Sequence, residues 1–494
     1  MRRLIMPVLM VFAYMKTAVG QTTAVHVCLD PGTTYQTIDN FSASDAWSVQ
    51  FVGNWPEQKR NAMADWLFST DTSATGNPIG IGLSMWRFNI GAGSAEQGDS
   101  SAIRDEWRRA NEWQRQSGQL WFLEAARKRK VNQFLAFLNS PPVNLTLNGK
   151  AFAYNGISNI SPEKYDALAT YIANALTGIR KKTGIHFDYI SPINEPQWDW
   201  SDGKQEGCPY DNEQISGVTK SLSRTLRAKK INTKILIGEA GKLDYLYSAA
   251  DKPAKGKQVS AFFDPSSALY VGNLPNVSRT IAGHSYFTTS PASVAVSTRE
   301  AVAKSVAAVP GLGFWQSEYC ILGDNAGEIN GNKRDYGMEA ALYLATVIHR
   351  DLAIANARAW QYWLAISPYD YKDGLIYIDR KKSDGAYHDS KMLWAMGNYS
   401  RFIRPGAQRI AAQLQGDSTL LVSAYKNADK SICMVIVNNS QQEKQLVAHT
   451  SDGSISRMRT YVTSDAGSLQ PLPVKDHIII PARAVVTVTG SIKP

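Results

Sequence analysis

Short apolar segments alternate with amphipathic helical patterns from about residue 40 to 365, and this alternation constrains the fold more than any other feature. Between several of these segments lie helical repeats such as Pro162–Lys181, which follows the capping residue Ser161. Alternating β and α elements indicate a parallel sheet, and eight of them predict a closed (β/α)8 barrel, a TIM barrel of the α/β class. The eight predicted strands are Ile38–Ala46, Gly82–Ile90, Asn132–Leu138, Phe187–Ile193, Thr233–Glu239, Thr280–Tyr286, Gly313–Tyr319 and Ala357–Leu364.

The pattern changes after about residue 395, where helical periodicity stops. The segments TLLVSAYK, ICMVIVNN, RMRTYVT and HIIIPARAVVTVTG are typical of strands separated by turn residues. Residues 21–37 are also strand-like and precede the barrel. We therefore predict a barrel at 38–394 and a fused antiparallel β-sandwich at 395–494, with the N-terminal strand segment at 21–37 paired to the sandwich.

The N-terminus has the features of a cleavable signal peptide. Residues 1–3 (MRR) are basic, residues 4–15 are apolar, and residues 18–20 (AVG) supply the small side chains of a cleavage site. The apolar run is too short to span a bilayer, and no other stretch approaches about 18 apolar residues. Residues 1–20 are therefore predicted to be removed on export, leaving a periplasmic or extracellular protein that is not held in a membrane.

The charge and the cysteines argue against several kinds of partner. The formal net charge is +10, and three of the cations belong to the predicted signal peptide. The other basic residues are dispersed along the chain, and the densest cluster, at 127–130, is interpreted as a helix end, so no nucleic-acid partner is predicted. The cysteines lack metal-ligand spacing and are expected to be free and mostly buried. They are Cys28, Cys208, Cys320 and Cys433.

Charged and aromatic residues lie where the predicted strands end. Catalytic groups of a (β/α)8 barrel lie at the carboxyl ends of its strands, so these residues are expected to meet on one rim. The fourth strand ends in Asn194-Glu195-Pro196, and Pro196 ends strand pairing because it has no N–H to donate. The seventh strand ends in WQSEY, which contains Glu318. Two glutamates nearly opposite each other across a barrel mouth are the carboxylate pair that glycoside hydrolysis requires.

We predict Glu195 and Glu318 as the catalytic residues. Asn194 can bond a sugar hydroxyl, whereas Arg87 and Tyr286 can hold Glu318 as the anion. The residues predicted to bind substrate are Arg87, Asn194, Trp198, His284, Tyr286, Trp315, Trp363 and Glu239.

Several of these assignments have structural alternatives. Trp198 lies on the loop after the fourth strand, where an aromatic ring would stack on a sugar. His284 could instead be a hydrogen-bonded core histidine. Glu239 could be a partner of other site residues or only the acidic end of a strand, and Trp363 could be part of the barrel packing.

Several motifs resemble glycoside hydrolase family 30. The segment NYSRFIRPGAQRI (398–410) resembles the junction between barrel and β-sandwich in that family. The segments GLSMWRFNIGAGSAEQG, FLAFLNSPPVNLTLNG, YISPINEPQWDW and WQSEYCIL resemble its endo-β-1,6-galactanase-like branch. The resemblance implies a retaining mechanism, with Glu318 as the nucleophile and Glu195 as the acid/base, and it implies no metal or cofactor.

The resemblance also bears on the substrate, which we expect to be a polysaccharide or oligosaccharide. The loop after the third strand carries Val143 and Leu145, where the wider family is often richer in Trp and Met. This departure favours a galactan over glucosylceramide or xylan. The alternatives are another specificity of the family (β-1,6-glucanase, xylanase or exo-β-glycosidase) and an inactive carbohydrate-binding protein. No protein partner or oligomeric state is predicted.

Overall fold

The structure, a computed structural model, describes residues 25–93 and 117–493 except for residues 418, 452, 475 and 476. The predicted signal peptide at 1–20 lies outside the described residues. None of the helices in the described ranges is long and apolar enough to cross a membrane.

The barrel is a closed ring of eight parallel strands, as predicted. Strand β2 (Asn40–Ser44) pairs in parallel with both β3 (Met85–Asn89) and β9 (Ala359–Ser367). Strand β9 also pairs with β8 (Gly313–Tyr319), so the sheet closes on itself. After β1 (Val25–Thr37), the barrel strands are β2 (Asn40–Ser44), β3 (Met85–Asn89), β4 (Gln133–Phe137), β5 (Tyr189–Ser191), β6 (Lys234–Ala240), β7 (Val277–His284), β8 (Gly313–Tyr319) and β9 (Ala359–Ser367).

Amphipathic helices surround this ring. In the fourth helix, Leu168, Ile172 and Ile179 are buried because the 3.6-residue period places them on one face. Gly184 ends that helix in the left-handed conformation, with φ 72°. The helices of the described residues are α1 (Val49–Val52), α2 (Glu57–Phe68), α3 (Ser117–Lys128), α4 (Tyr165–Thr183), α5 (Asn212–Ala228), α6 (Asp244–Tyr247), α7 (Gln258–Phe263), α8 (Ala292–Ala307), α9 (Met338–Ala353) and α10 (Lys391–Ser400).

A second sheet forms the C-terminal domain, and it takes up the N-terminal strand. Strand β1 pairs antiparallel with β12 (Gln408–Gln415) and parallel with β15 (Lys444–Thr450), so this sheet is not antiparallel throughout. Its apolar core includes Val27, Leu29, Met434, Ile436 and Val486. After two short strands that extend the barrel sheet, β10 (Gly374–Ile378) and β11 (Tyr387–Asp389), the strands of this domain are β12 (Gln408–Gln415), β13 (Leu420–Lys426), β14 (Ser431–Asn438), β15 (Lys444–Thr450), β16 (Ser454–Ser464), β17 (Gly467–Leu472), β18 (Ile478–Ile480) and β19 (Ala484–Lys493).

Helix α10 joins the two parts, and the domain boundary predicted at residue 394 falls within it. The Asn398 Nδ2 atom donates to Thr487 Oγ1 at 2.9 Å and to the Tyr461 carbonyl at 3.0 Å. The Arg401 guanidinium donates to backbone carbonyls of the segment 69–80 in the barrel. All four cysteines are free, and only Cys28 is partly exposed.

A buried ion pair fixes the outer helices against the end of β7. Arg299 Nε lies 2.8 Å from Asp351 Oδ1, and both side chains are fully buried. Asp351 also accepts hydrogen bonds from Trp360 Nε1 at 2.9 Å and from Ser285 Oγ at 3.0 Å. Ser285 directly follows His284 in the chain, so this pair helps to position the strand end that carries the histidine.

Replacing Arg299 should lower the free energy of unfolding far more than replacing an exposed arginine does. The change Arg299→Met would leave the Asp351 carboxylate buried without its cation, which costs about 3–5 kcal/mol of unfolding free energy. The control is Arg224→Met, because the ion pair of Arg224 with Asp166 is mostly exposed and is worth about 1 kcal/mol or less. Denaturant unfolding measures both, and equal losses would contradict the prediction.

Candidate active site

The site lies at the carboxyl ends of the barrel strands, where five elements each supply one charged group. Arg87 lies in β3, Glu239 in β6, His284 at the end of β7, and Glu318 in β8. Glu195 follows β5 by four residues, where the chain has left the sheet. All five side chains are buried, although Glu195 and Glu318 retain some exposure.

Two β-bulges aim the strand ends at the site. Gly283 pairs with Gln316 and His284 with Glu318, so Ser317 is an extra residue in β8. Strand β6 likewise has an extra residue next to Gly238, whose φ is 105° and whose added Cβ would lie 2.4 Å from a backbone oxygen of β7. Only glycine tolerates both conditions. The bulge in β8 lets Ser317 Oγ donate to Glu239 Oε2 at 2.5 Å while Glu318 faces the rim.

The Glu318 carboxylate is held by two donors. Arg87 Nη1 donates to Glu318 Oε2 at 2.6 Å, and Tyr286 OH donates to Glu318 Oε1 at 3.2 Å. The guanidinium also lies 3.9 Å from the centre of the Phe137 ring and contacts Asn194 Oδ1 at 3.4 Å. These contacts stabilise an ionised carboxylate and fix its orientation.

His284 bridges two further carboxylates. Its Nδ1 lies 2.8 Å from Glu195 Oε1 and its Nε2 lies 2.8 Å from Glu239 Oε2. Burial alone would lower the pKa of His284, but the surrounding Glu318, Glu195 and Glu239 carboxylates outweigh it and raise this pKa to about 10. The ring is therefore an imidazolium at neutral pH and donates from both nitrogens.

Glu195 and Glu239 share the histidine but differ in protonation. Burial raises the pKa of Glu195, and it outweighs the hydrogen bond and the charge of His284, which act in the opposite direction. Burial would also raise the pKa of Glu239, but the His284 hydrogen bond and the Arg87 charge lower it to about 2. Glu239 is thus a fixed anion, whereas Glu195 is the carboxyl group that favours its proton.

The two candidate catalytic carboxylates are close together. One oxygen of Glu195, one oxygen of Glu318 and a nitrogen of His284 all lie within 4.8 Å of one another. The backbone of Glu195 is left-handed, with φ 42°, and it is anchored because its N–H donates to the Glu239 carbonyl at 2.9 Å. Trp200 Nε1 donates to the Glu195 carbonyl at 3.0 Å. The separation suits direct attack by one carboxylate, since an interposed water needs a wider gap.

A cavity of about 310 Å³ opens onto these carboxylates. Its walls combine indole and phenyl rings with amide groups, which is the lining that sugar rings and hydroxyls require. No lysine or arginine is among the described residues that line it. The lining residues are Trp47, Asn139, Asn194, Glu195, Trp198, Trp200, Gln205, Tyr286, Phe287, Glu318, Leu322 and Trp363.

The predicted site residues fall into three groups. Six of them line the cavity: Glu195, Glu318, Asn194, Trp198, Tyr286 and Trp363. Arg87, His284 and Glu239 lie fully buried beneath it and contact the carboxylates instead of the cavity. Trp315 belongs to neither group, because it packs in the barrel interior beside Tyr189 and donates to Asp39 Oδ2 at 2.8 Å. We therefore do not propose Trp315 as a substrate-binding residue.

Several lining residues are absent from the sequence-based prediction. Trp47 and Asn139 follow β2 and β4 by two or three residues, so their place after a strand end was a usable signal. Phe287 and Leu322 likewise follow β7 and β8 by three residues, and both are exposed at the mouth. Gln205 lies 14 residues beyond the end of β5, and a loop residue so far from a strand cannot be assigned from strand positions alone.

The Glu195, His284 and Glu318 cluster has the spacing of a metal site, but its chemistry does not suit one. A metal ligand must offer a lone pair, and a histidine must be neutral to do so. Both nitrogens of His284 donate to carboxylates, so the imidazolium has no free lone pair. The cluster is better described as an imidazolium held between carboxyl groups.

Removing the positive charge of His284 should shift the pH dependence of activity. In His284→Gln the Glu195 carboxyl loses the cation that lowers its pKa, so this pKa should rise further. With Glu195 as the general acid, activity falls as pH rises through that pKa, so the alkaline limb of kcat/KM should move to higher pH. The control His388→Gln changes an exposed histidine and should leave the profile in place, and an unshifted limb in His284→Gln would refute the assignment.

Taken together, the (β/α)8 barrel, the paired carboxylates on its rim and the aromatic cavity define a glycoside hydrolase. Residues 24–377 match the model of O-Glycosyl hydrolase family 30, and residues 406–488 match that of the Glycosyl hydrolase family 30 beta sandwich domain. The chain therefore belongs to glycoside hydrolase family 30.

Three known proteins are similar to this chain in sequence or structure. An endo-β-1,6-galactanase from Hypocrea rufa is 23% identical over 433 residues, which cover 83% of this chain and 80% of the relative. A glucuronoxylanase from Bacillus subtilis is 24% identical over 363 residues, which cover 70% and 71% of the two chains. The crystal structure of a conserved exported protein from Bacteroides fragilis is similar with a TM-score of 0.85 and 32% identity, and the match covers 94% of this chain and 99% of that one.

Proposed function

We propose that the protein is a secreted, retaining endo-β-1,6-galactanase. Glu318 is the nucleophile and Glu195 is the acid/base. The observation that carries the mechanism is the closeness of two carboxylates in unlike environments. An Arg87 cation contacts Glu318, whereas Glu195 is a carboxyl whose pKa burial raises.

In the first step, Glu318 Oε attacks the anomeric carbon while Glu195 gives its proton to the glycosidic oxygen. The bond to the leaving sugar breaks, and a covalent glycosyl–enzyme ester forms. The new negative charge on Glu195 is stabilised by the hydrogen bond from His284 Nδ1–H, 2.8 Å away. In the second step, Glu195 takes a proton from water, which attacks the anomeric carbon and frees Glu318.

The lining of the cavity supports a neutral substrate. Its only charged side chains among the described residues are the two catalytic glutamates, so a glucuronosyl carboxylate would meet no cation there. Trp198, Trp200 and Trp363 offer faces for stacking on sugar rings. Together with the galactanase relative, this favours a galactan over glucuronoxylan.

A second cavity of about 730 Å³ supports action within a chain. It shares Trp198, Trp200 and Gln205 with the first cavity, so the two adjoin each other. The rest of its lining comes from the same loop after β5 and consists of Asp199, Ser201, Asp202 and Lys204. A cleft that continues past the cleavage site accommodates several sugar units, as an endo-acting enzyme requires.

The test is a digest of three polysaccharides by the purified protein. De-arabinosylated arabinogalactan, β-1,6-glucan and glucuronoxylan are incubated with the enzyme, with Glu318→Gln as the inactive control, and the products are resolved by size. Galactose oligomers from the first substrate alone are the expected result. Oligomers from β-1,6-glucan or xylan instead would keep the mechanism and replace the substrate, and free galactose alone would refute endo action.

A further inference from the structure

Three consecutive loops on the face opposite the active site carry a dense group of cations. They follow helices α3, α4 and α5, which run antiparallel to the strands and end where β4, β5 and β6 begin. Segment 127–132 contains four lysines and arginines, segment 180–188 contains three, and segment 227–234 contains four. The cations look dispersed in the sequence, but the fold brings them together.

The three segments form one continuous surface, here called the basic face. Arg127 Nη1 donates to the Thr183 carbonyl at 2.8 Å, which joins the first segment to the second. Thr233 Oγ1 donates to the Phe187 carbonyl at 2.8 Å, which joins the second to the third. The charges are therefore close enough to act together, since screening at physiological salt extends over about 8 Å.

Within the part of the chain that the structure describes, almost none of this charge is neutralised. All the lysines and arginines of the basic face are exposed except Arg129, which is half-buried and pairs with Asp65 at 2.6 Å. Asp188 is the single acidic residue in the three segments, and its Oδ2 accepts the Phe134 N–H at 2.9 Å. Favourable contact with helix dipoles accounts for cations in a last helical turn, but not for those beyond it such as Lys130 and Lys234.

The chemistry of the basic face favours a hydrophilic polyanion. The three segments expose no large hydrophobic side chain to insert into a lipid layer, and the His186 imidazole is their one exposed ring for stacking on a base. The face also lies at the opposite end of the barrel from the catalytic cavity. A polyanion bound there would leave the cleft free for its own substrate.

We propose that the basic face binds an acidic polysaccharide of the polyuronate class and so holds the enzyme on material that contains its neutral substrate. This proposal rests on the proposed function, because the enzyme must be secreted to meet an extracellular polyuronate. The bound chain is not cleaved, since it does not reach the catalytic carboxylates.

Binding of the mature protein to polygalacturonate tests the proposal. Affinity is measured at about 20 mM and about 200 mM NaCl and should fall at least tenfold between them, as for a contact made by charge. Fully methyl-esterified polygalacturonate has the same backbone without the charge and should not bind. Vesicles containing phosphatidylglycerol and duplex DNA are compared under the same conditions.

Two triple variants with equal change of charge locate the site. Lys181→Gln, Lys182→Gln and Lys229→Gln together should weaken binding about tenfold or more. Lys426→Gln, Lys430→Gln and Lys493→Gln, which lie on the sandwich, should change it less than about twofold.

The outcomes separate this proposal from the proposed function. No binding to polygalacturonate, equal loss in both variants, or tighter binding to vesicles or DNA would each overturn the basic face as a polyuronate site. Hydrolysis of a soluble, uncharged galactan should be the same in both variants and in the parent. If that hydrolysis is absent from the parent as well, the proposed function fails, whatever the result for polygalacturonate.

Discussion

Glu318→Gln is expected to reduce turnover of the preferred polysaccharide by about 10⁴-fold or more. The amide is nearly the same size as the carboxylate, but it cannot form the ester to the anomeric carbon. Arg87 Nη1 lies 2.6 Å from Glu318 Oε2 in the parent, and in the variant it would face a neutral amide instead of an anion. Turnover is measured from reducing ends released over time, with single-turnover assays to find residual chemistry.

The control must separate lost chemistry from lost structure. Glu300 is exposed on α8, and Glu300→Gln should retain full activity. Glu318→Gln leaves a buried guanidinium without its anion, so thermal unfolding of both variants is recorded. If it proves unstable, Glu318→Asp keeps the charge but withdraws the carboxylate from the anomeric carbon, and it should also be inactive. A folded Glu318→Gln protein with undiminished turnover would refute the nucleophile assignment.

Glu195→Gln should produce a loss that depends on the leaving group. With a polysaccharide the departing hydroxyl needs a proton, so the rate should fall about 10² to 10⁴-fold. An aryl glycoside with an acidic phenol departs unaided, so its first step should fall much less. The second step still lacks its base, and the covalent intermediate should accumulate as an initial burst of phenol. Stopped-flow measurement of that burst gives the result, and equal losses on both substrates would contradict the role of Glu195.

The strand positions were largely predictable, because each barrel strand is an apolar run that ends in polar residues. All eight predicted strands overlap observed ones, and β8 matches at Gly313–Tyr319. The parallel pairing of β1 with β15 was not predictable, because strand patterns contain no information about partners distant in sequence. The extensions β10 and β11 were also missed. Strand β11 is a three-residue polar segment, whereas the apolar run GLIYI of β10 was a usable signal.

The charged residues of the site were predictable from the sequence, but the directions in which all its side chains point were not. Glu195 and Glu318 stand at strand ends, where barrel geometry gives their location. Trp315 precedes Glu318 by three residues, and strict alternation would place the two side chains on opposite faces of β8. The extra residue Ser317 changes this, so that Trp315 fills the interior while Glu318 reaches the rim. A bulge of this kind depends on neighbouring strands and leaves no clear local signal.

The pairing of β1 with the C-terminal sheet has a consequence for the order of folding. His26 pairs with Gln415 and Val25 with Leu446, so the earliest described strand has no partner until the C-terminal part of the chain has been synthesised. Until then Val27 and Leu29 have no apolar partner, and their strand edge is open to other chains. Contacts between such distant residues form slowly because a long loop must close first. Completion of the sandwich is therefore the final event, and release of either terminus would reopen the same sheet.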